Sequence, residues 1–585
     1  MSLENNKKIA EIFRNMSSIY KYLGGENRFR AIAYGKGAKV IDALQEDIAA
    51  YKTNHLLKEH SGIGESMKEK IGEFLKTGKI EKYEELKRIV PHELLDIMSI
   101  RGFGPQTLKR LHDELNISTK NEIIEALNDG SISMIKGFGQ KKINNLILGL
   151  KLHKTIEGRM LLWNALEVGD KIVERIRLFP QVKQIALAGS CRRRKETIGD
   201  IDILIACEEK HRDEIISFVS SNEFAQKILA KGDTKVSIIL KGIDKQIDFR
   251  IVNEDEWATA LQYFTGSKEH TIHLRSIAKE KGYKLSEYSL TAIKNGVKIN
   301  VKTEEDLYRT LNFQYIPAEL REDNGEFELA FLRKIPELIS LEDIKGDMHV
   351  HSNWSDGTNT IDEIVNHLRK EFSYEYIVIS DHSKASSIAN GMDEKQILKQ
   401  ISFIKELNRK RGDSFVKTGI EVDILPDGSL DISDEILSQL DWVTASIHSN
   451  FKKDNTQRLV RACENPYVSC IAHPTGRLIG LREPYQLDFQ TILNVAKDTH
   501  TALEINAQPQ RMDLNDDFSS LAMEKGISLV INTDSHSLND LKHMKLGVYI
   551  ARRAWCQKSN ILNTKSWRDI LLFKNQKRKM NSKTF

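Results

Sequence analysis

The sequence predicts a multidomain chain. It should comprise a helical N-terminal region, an α/β sheet module with a small α+β module after it, and a C-terminal half of alternating strands and helices. Three observations predict this. Residues 1–153 read as helices joined by short glycine turns, and a Gly-apolar-Gly unit recurs in them three times. Residues 154–258 alternate helix and strand and carry three aspartates on neighbouring strand candidates. From residue 338 onward, apolar strands end in histidines and carboxylates, which converge on one face if the strands are parallel and closed into a barrel.

Composition bounds the function. At 585 residues, 40% hydrophobic and 29% charged, the chain can bury several cores. It has no apolar run long enough for a transmembrane helix, and Met1 to Lys8 lack a signal-peptide core. Five cysteines without CxxC spacing suit a reducing, cytoplasmic setting. The net charge of +4 is uneven: residues 1–316 carry +8 and the remainder −4. A basic front half suits a polyanion.

The repeated unit appears as Gly62-Ile63-Gly64, Gly102-Phe103-Gly104 and Gly137-Phe138-Gly139, each opening a helix. This resembles the helix-hairpin-helix motif. Glycines permit a tight turn that leaves backbone N–H groups at a helix N-terminus, where a DNA phosphate can bind. Such contacts read no base sequence.

The aspartates lie in Gly199-Asp200-Ile201-Asp202 and in Gln246-Ile247-Asp248-Phe249-Arg250. Ile198 to Ile205 alternates as a strand, so Asp200 and Asp202 share a face. Val236–Leu240 and Ile247–Val252 are the strands expected beside it. Clustered carboxylates repel unless cations lie between them, and hard oxygen ligands suit Mg2+.

Leu187-Ala188-Gly189-Ser190-Cys191-Arg192-Arg193-Arg194, the Asp200/Asp202 segment and Tyr263-Phe264-Thr265-Gly266-Ser267 together resemble the family X, DNA polymerase beta-like enzymes, up to about residue 318. The resemblance implies a nucleotidyltransferase palm in which Asp200, Asp202 and Asp248 hold two Mg2+ or Mn2+ ions. Asp248 would also help accept the primer 3′-hydroxyl proton. It implies that Ser190 and Arg193 bind the incoming triphosphate, with Gly199 admitting its phosphates. Tyr263, Phe264 and Gly266 would lie under the sugar and disfavour a ribose, and Arg275 would touch the template strand. Two positions depart from the family pattern. Thr271 stands where the family commonly has an Asn against the base minor-groove edge. Lys70 aligns with the Schiff-base lysine of relatives that remove deoxyribose phosphate, but the neighbouring lysine is Ser66 here. Lys70 therefore reads as a phosphate contact or a solvated lysine.

Nine of the 17 histidines fall in the C-terminal half. Seven segments carry His349 and His351, Asp356, His382, Glu421, His448, His473, and Asp534 with His536; they are read as seven successive strand ends. Imidazole with carboxylate selects transition metals, and the number of ligands calls for two or three ions, Zn2+ or Mn2+. Asp381 reads as orienting His382 or its strand end. The series resembles the polymerase and histidinol phosphatase (PHP) domain, a distorted (β/α)7 barrel, and all nine ligand positions are matched.

The expected division is a helical domain at 1–88, a helix-hairpin-helix fingers-like domain at 89–153 and a palm at 154–258. A thumb-like module at 259–318, a linker at 319–337 and a PHP domain at 338–575 follow, with a frayed basic tail after 572. The resemblance implies a monomeric, nucleoid-associated repair enzyme that fills gapped or primed DNA with dNTPs. Its PHP site would act as a 3′–5′ exonuclease, in 3′-end processing or in abasic-site cleavage. An untemplated nucleotidyltransferase, a small-phosphoester hydrolase or structural barrel, and a noncatalytic DNA scaffold remain open at this stage.

Overall fold

A computed structural model describes residues 4–42, 44, 47–50, 63–98, 100, 102–156 and 158–581. The N-terminal region is helical, as its period-3.6 apolar spacing requires. In α1 (Glu4–Leu23), Ile9, Phe13, Met16 and Tyr20 fall on one stripe and are buried against α2 (Arg28–Asp42). The hairpins precede α3 (Glu65–Thr77), α4 (Pro105–Leu115) and α5 (Gln140–Ile156). Their central residues Ile63, Phe103 and Phe138 are buried plugs.

After α6 (Leu162–Arg177) comes a five-stranded mixed sheet: β1 (Val182–Leu187), β2 (Ile201–Cys207), β3 (Ala225–Lys231), β4 (Lys235–Leu240) and β5 (Gln246–Val252), in the order β1-β2-β5-β4-β3. A four-residue helix, α7 (Gly189–Arg192), links β1 to the β2 segment. The parallel β2–β5 pair sets Asp202 directly opposite Asp248. Next come α8 (Trp257–Thr265), α9 (Lys268–Glu280), a small antiparallel sheet of β6 (Tyr283–Leu285), β7 (Leu290–Ala292) and β8 (Lys298–Ile299), and α10 (Glu304–Thr310).

The 319–337 segment, expected as a linker, is packed instead. It forms α11 (Glu326–Phe331) and gives Leu320, Phe327, Ala330 and Ile335 to the same core as Leu274, Leu290 and Leu307. Its polar residues are paired: buried Arg321 bonds Glu304, and buried Glu326 accepts from His270 at 2.7 Å.

The C-terminal half is a seven-stranded parallel sheet in sequential order: β9 (Gly346–Val350), β10 (Tyr376–Ile379), β11 (Val416–Asp423), β12 (Trp442–Ser446), β13 (Cys470–Ile471), β14 (Ala502–Asn506) and β15 (Leu529–Asn532). A bridge between Val350 and Ser535 brings its edges together, and His351 N–H donates to Ser535 O at 2.9 Å, so the sheet nearly closes into a barrel. The expected capping box at Thr360 and Glu363 opens α12 (Ile361–Glu371). Outer helices include α13 (Glu394–Arg411), α14 (Asp516–Glu524) and α15 (Met544–Arg553).

The tail corrects the expectation of a frayed end. It continues as α16 (Trp567–Asn581), past the expected boundary at 575. Phe573 packs with Trp442, Val530 and Ile570 across the end of the barrel opposite the histidines. Lys577 is buried, and its Nζ donates to Cys463 O at 2.8 Å and Thr501 Oγ1 at 2.6 Å. A run that reads as basic and polar can still be a core helix when barrel-end carbonyls take its charged tips. All five cysteines are free and buried, and among the described residues no helix is long and apolar enough to cross a membrane.

Candidate active sites and metal centres

Backbone register builds the first site. Asp200 lies just before β2, Asp202 within it and Asp248 on β5, and one oxygen from each lies within 4.8 Å of the others. Burial, with the charges of Asp200 and Asp248, pushes the Asp202 carboxyl up to about 7. Burial also opposes ionisation of Asp248, but hydrogen bonds from Gln246 (2.9 Å) and Lys235 (3.0 Å) hold it below its usual range. A mutually repelling carboxylate set of this kind fits cations. Gly189, at φ +55°, makes room for the site: a Cβ there would lie 2.0 Å from Asp202 Oδ2.

Ser190 stands on α7 beside Arg192 and Arg193. Arg193 is engaged: its Nε bonds Glu322 Oε1 at 3.1 Å and its Nη1 bonds Thr265 O at 2.8 Å. Gly199 faces Arg159, whose Nη1 would be 3.2 Å from an added Cβ. Tyr263 and Phe264 lie on α8 with edge-to-face rings 5.1 Å apart, and Gly266 caps that helix. Thr271 is buried under Gly266, and among the described residues its hydroxyl has no hydrogen-bond partner. Arg275 is exposed on α9.

At the hairpins, Gly102 (φ +90°) and Gly137 (φ +85°) take the left-handed turn. Gly64, Gly104 and Gly139 face open space, since an added Cβ would meet nothing within 4 Å. Gly62 lies outside the described residues. Lys70 Nζ donates to Ser66 Oγ at 2.9 Å, the position that lacks the second lysine.

The second site fills the barrel mouth around Glu421. Its Oε1 lies 3.0 Å from His473 Nε2 and 3.3 Å from His448 Nε2; its Oε2 lies 2.8 Å from His382 Nδ1 and 3.5 Å from His349 Nε2. Asp356 approaches His536 at 3.2 Å, and Asp534 approaches His351 at 3.2 Å. Three groups have ligand-capable atoms within 4.8 Å of one another: His351, Asp356, His382 and His536; His349, His351 and Glu421; and His382, Glu421 and His448. His473 and Asp534 stand beside these groups rather than in them.

Six of these buried atoms, most of them in close contact within the cluster, make no aligned hydrogen bond among the described residues: His349 Nε2, both His351 nitrogens, Asp356 Oδ1, His382 Nδ1 and Glu421 Oε2. Orphaned lone pairs at such density fit metal ions. Burial and neighbouring cationic groups lower the His351 imidazole to about 3 and His473 to about 4. The surrounding carboxylates outweigh burial and raise His448 to about 10, His536 to about 9 and His349 well above its usual value, so a bound cation would have to replace protons on those three. Nearby imidazoles outweigh burial at Glu421 and keep it well below the usual carboxylate range. The site floors a cavity of about 950 Å³ whose rim includes Lys39 and Asp42 from α2.

The ligand-bearing segments do not map onto seven strand ends. Asp356 lies in the loop after β9, and β14 contributes none of the nine residues, so six strands carry them. What β14 contributes is Glu504, which the sequence reading missed. Its Oε1 bonds His349 Nδ1 at 2.8 Å, and its Oε2 accepts from His473 N–H at 2.8 Å. Asp423 does the same for His448 Nδ1 at 3.2 Å. Such partners fix ring orientation around a metal. The signal was present as Glu504 and Asn506 at period two inside an apolar run. Asp381 anchors the loop after β9, accepting from Ser352 N–H, Ser352 Oγ, Ser355 Oγ and Gln400 Nε2.

An α/β palm with three convergent aspartates, joined to a barrel with a polynuclear metal-type mouth, defines a two-site phosphoryl-transfer architecture. Comparison with known proteins agrees along most of the chain. Residues 4–80 match a helix-hairpin-helix domain, 93–152 a SAM-like helix-hairpin-helix tandem, 260–322 the DNA polymerase beta thumb and 347–508 the PHP domain. The chain is 36% identical over 560 residues to the DNA polymerase/3′-5′ exonuclease PolX of Bacillus subtilis (strain 168), covering 95% of this chain and 97% of the relative. It is 26% identical to DNA polymerase lambda of Rattus norvegicus, over 54% of this chain and 56% of that one. It is 24% identical to DNA polymerase lambda of Arabidopsis thaliana, over 54% and 62%. The chain belongs to the family X DNA polymerases that carry a C-terminal PHP domain.

Proposed function

We propose that the chain is a template-directed DNA polymerase that fills short gaps in repair, and that its barrel is a 3′–5′ exonuclease that trims or cleans 3′ ends. The Asp202–Asp248 register with Gly189 against Asp202 carries the first half of this reading. The orphaned imidazole and carboxylate atoms in the barrel mouth carry the second.

Asp200, Asp202 and Asp248 would hold two Mg2+ or Mn2+ ions, and the nine barrel residues two or three Zn2+ or Mn2+ ions. Bound cations supply Lewis-acid neutralisation of phosphate charge at both sites and, in the barrel, a nucleophile from water near neutral pH. Asp248 helps take the proton of the primer 3′-hydroxyl. Ser190 and Arg193 orient the triphosphate, and α8 with Tyr263, Phe264 and Gly266 underlies the sugar. Arg275, on the exposed face of α9, meets the template strand. The open glycine faces of the hairpins let DNA phosphates approach backbone N–H groups. Lys70, held by Ser66, serves as a phosphate contact. The enzyme works as a monomer on gapped or primed DNA with dNTPs, and its five free thiols fit the reducing cytoplasm, where the nucleoid lies.

Primer extension on gapped DNA with Mg2+ or Mn2+, with and without dNTPs, tests both halves. Template-matched extension with dNTPs and 3′ shortening without them is the expected result. Addition that ignores the template would make the palm an untemplated transferase. Absence of shortening under every metal would leave the barrel without the nuclease role.

A further inference from the structure

Among the barrel residues that reach into the polymerase half is one that meets the proposed triphosphate arginine directly. Arg553, the last residue of α15, is buried at the seam with its side chain 7% exposed. It bonds Asp516 Oδ2 at 2.7 Å from within the barrel half. Its Nη1 then crosses the seam to Arg193 O at 2.8 Å and Glu322 Oε1 at 3.0 Å. The same Glu322 oxygen accepts from Arg193 Nε at 3.1 Å. One carboxylate oxygen is thus shared between Arg193 and a barrel arginine.

The segment carrying Arg193 is fastened by the barrel at further points. Arg194 stacks 4.4 Å over the Tyr549 ring of α15, and Arg477 bonds Glu196 Oε2 at 2.7 Å. Next to Glu322, Arg552 bonds Glu319 at 2.8 Å. This seam positions residues 193–196 from outside the palm.

The charge balance gives the contact a consequence. A triphosphate that takes Arg193 must draw it from Glu322, and a half-buried carboxylate stripped of its cation is costly. Arg553 stays behind and keeps Glu322 paired. It also holds the Arg193 carbonyl, so the guanidinium can swing without its backbone following. Without Arg553, Glu322 falls back on Arg193, with Lys195 as far as 3.9 Å away.

We propose that Arg553 is a positioning residue for nucleotide binding: it shares Glu322 with Arg193 and thereby frees Arg193 for the incoming triphosphate. This rests on the reading of Arg193 as a triphosphate contact, and the test separates the two.

Single-nucleotide addition on gapped DNA is measured for full-length R553M, R553K, E322Q, R193A and the pair R193A/R553M. The R553M variant should raise KM for dNTP about tenfold, with kcat changed less than about twofold, and R553K should recover part of the loss. E322Q should lower KM, because the competing charge is gone. The pair should show no loss beyond R193A alone, since both act through one guanidinium. If R193A leaves KM unchanged, the reading of Arg193 fails and this proposal with it. If R193A raises KM while R553M does not, the reading stands and the proposal is overturned. Should R553M lose synthesis and 3′ degradation together, through misfolding, E322Q decides: an unchanged or higher KM overturns the proposal.

Discussion

Gly189 and Asp202 show how one missing side chain governs a site. The Asp202 carboxylate occupies the space where a Cβ on Gly189 would lie, 2.0 Å from Oδ2. The backbone at φ +55° also disfavours any L side chain. Gly189→Ala should therefore displace Asp202 from the triad and suppress nucleotide addition, with a modest fall in melting temperature from the strained backbone. Normal kinetics in this variant would show that Asp202 can shift without cost. Asp200→Ala with Asp202→Ala is the sharper test. Removing two of the three carboxylates that would hold the cations withdraws the electrostatic stabilisation on which phosphoryl transfer depends, at least about a thousandfold in rate. Binding to gapped DNA should persist, because affinity comes from backbone phosphates met by the hairpins and basic residues. Extension near the wild-type rate would refute the assignment of the triad.

Among the elements, α16 separates what the chain order discloses from what only packing reveals. Phe573, Lys574 and Lys577 close the end of the barrel opposite the histidines. A chain ending at Leu572 should lose the Phe573 burial, about 3–5 kcal/mol, and melt several degrees lower. An unchanged melting temperature would show that the helix contributes nothing to the barrel. The hairpins, the β2 and β5 strands and the barrel strands were legible because each has a local signature: Gly-apolar-Gly before a helix, period-two alternation, or an apolar run ending in His or Asp. Residues 319–337 and the tail were not, because their local signature is charge. Their burial depends on distant partners, Glu304 for Arg321, His270 for Glu326 and the Cys463 carbonyl for Lys577. Of the barrel site, the run of histidine- and carboxylate-bearing segments was legible one segment at a time. The central place of Glu421 and the support from Glu504 were not, since both arise only when the strands close on one another.

Across the whole molecule, the barrel touches the polymerase half at several places, among them Lys452 against Asn145 and His543 against Trp163, and two of these places bear on the proposed chemistry. One is the seam around Arg553, Arg477 and residues 193–196. The other is at the mouth, where Asn539 Nδ2 donates to Asp42 O at 3.2 Å and Lys39 joins the cavity rim. One N-terminal helix, α2, therefore contributes Lys39 and Asp42 to the rim of the proposed nuclease cavity. His349 and His351 sit buried on the barrel floor, and among the described residues the aspartate triad takes no side chain from the barrel. His349→Ala with His351→Ala should then abolish 3′ degradation while primed synthesis stays within about threefold of wild type. Both imidazoles belong to the same ligand group with Glu421, so their joint loss should also lower the metal content of the purified protein. Metal analysis beside the two activity assays distinguishes the outcomes. Loss of degradation and metal with synthesis retained assigns the chemistry to the barrel. Degradation that survives both substitutions would place it elsewhere. Loss of synthesis as well would mean that an emptied mouth disturbs the rim it shares with α2, which a drop in the affinity for gapped DNA would reveal.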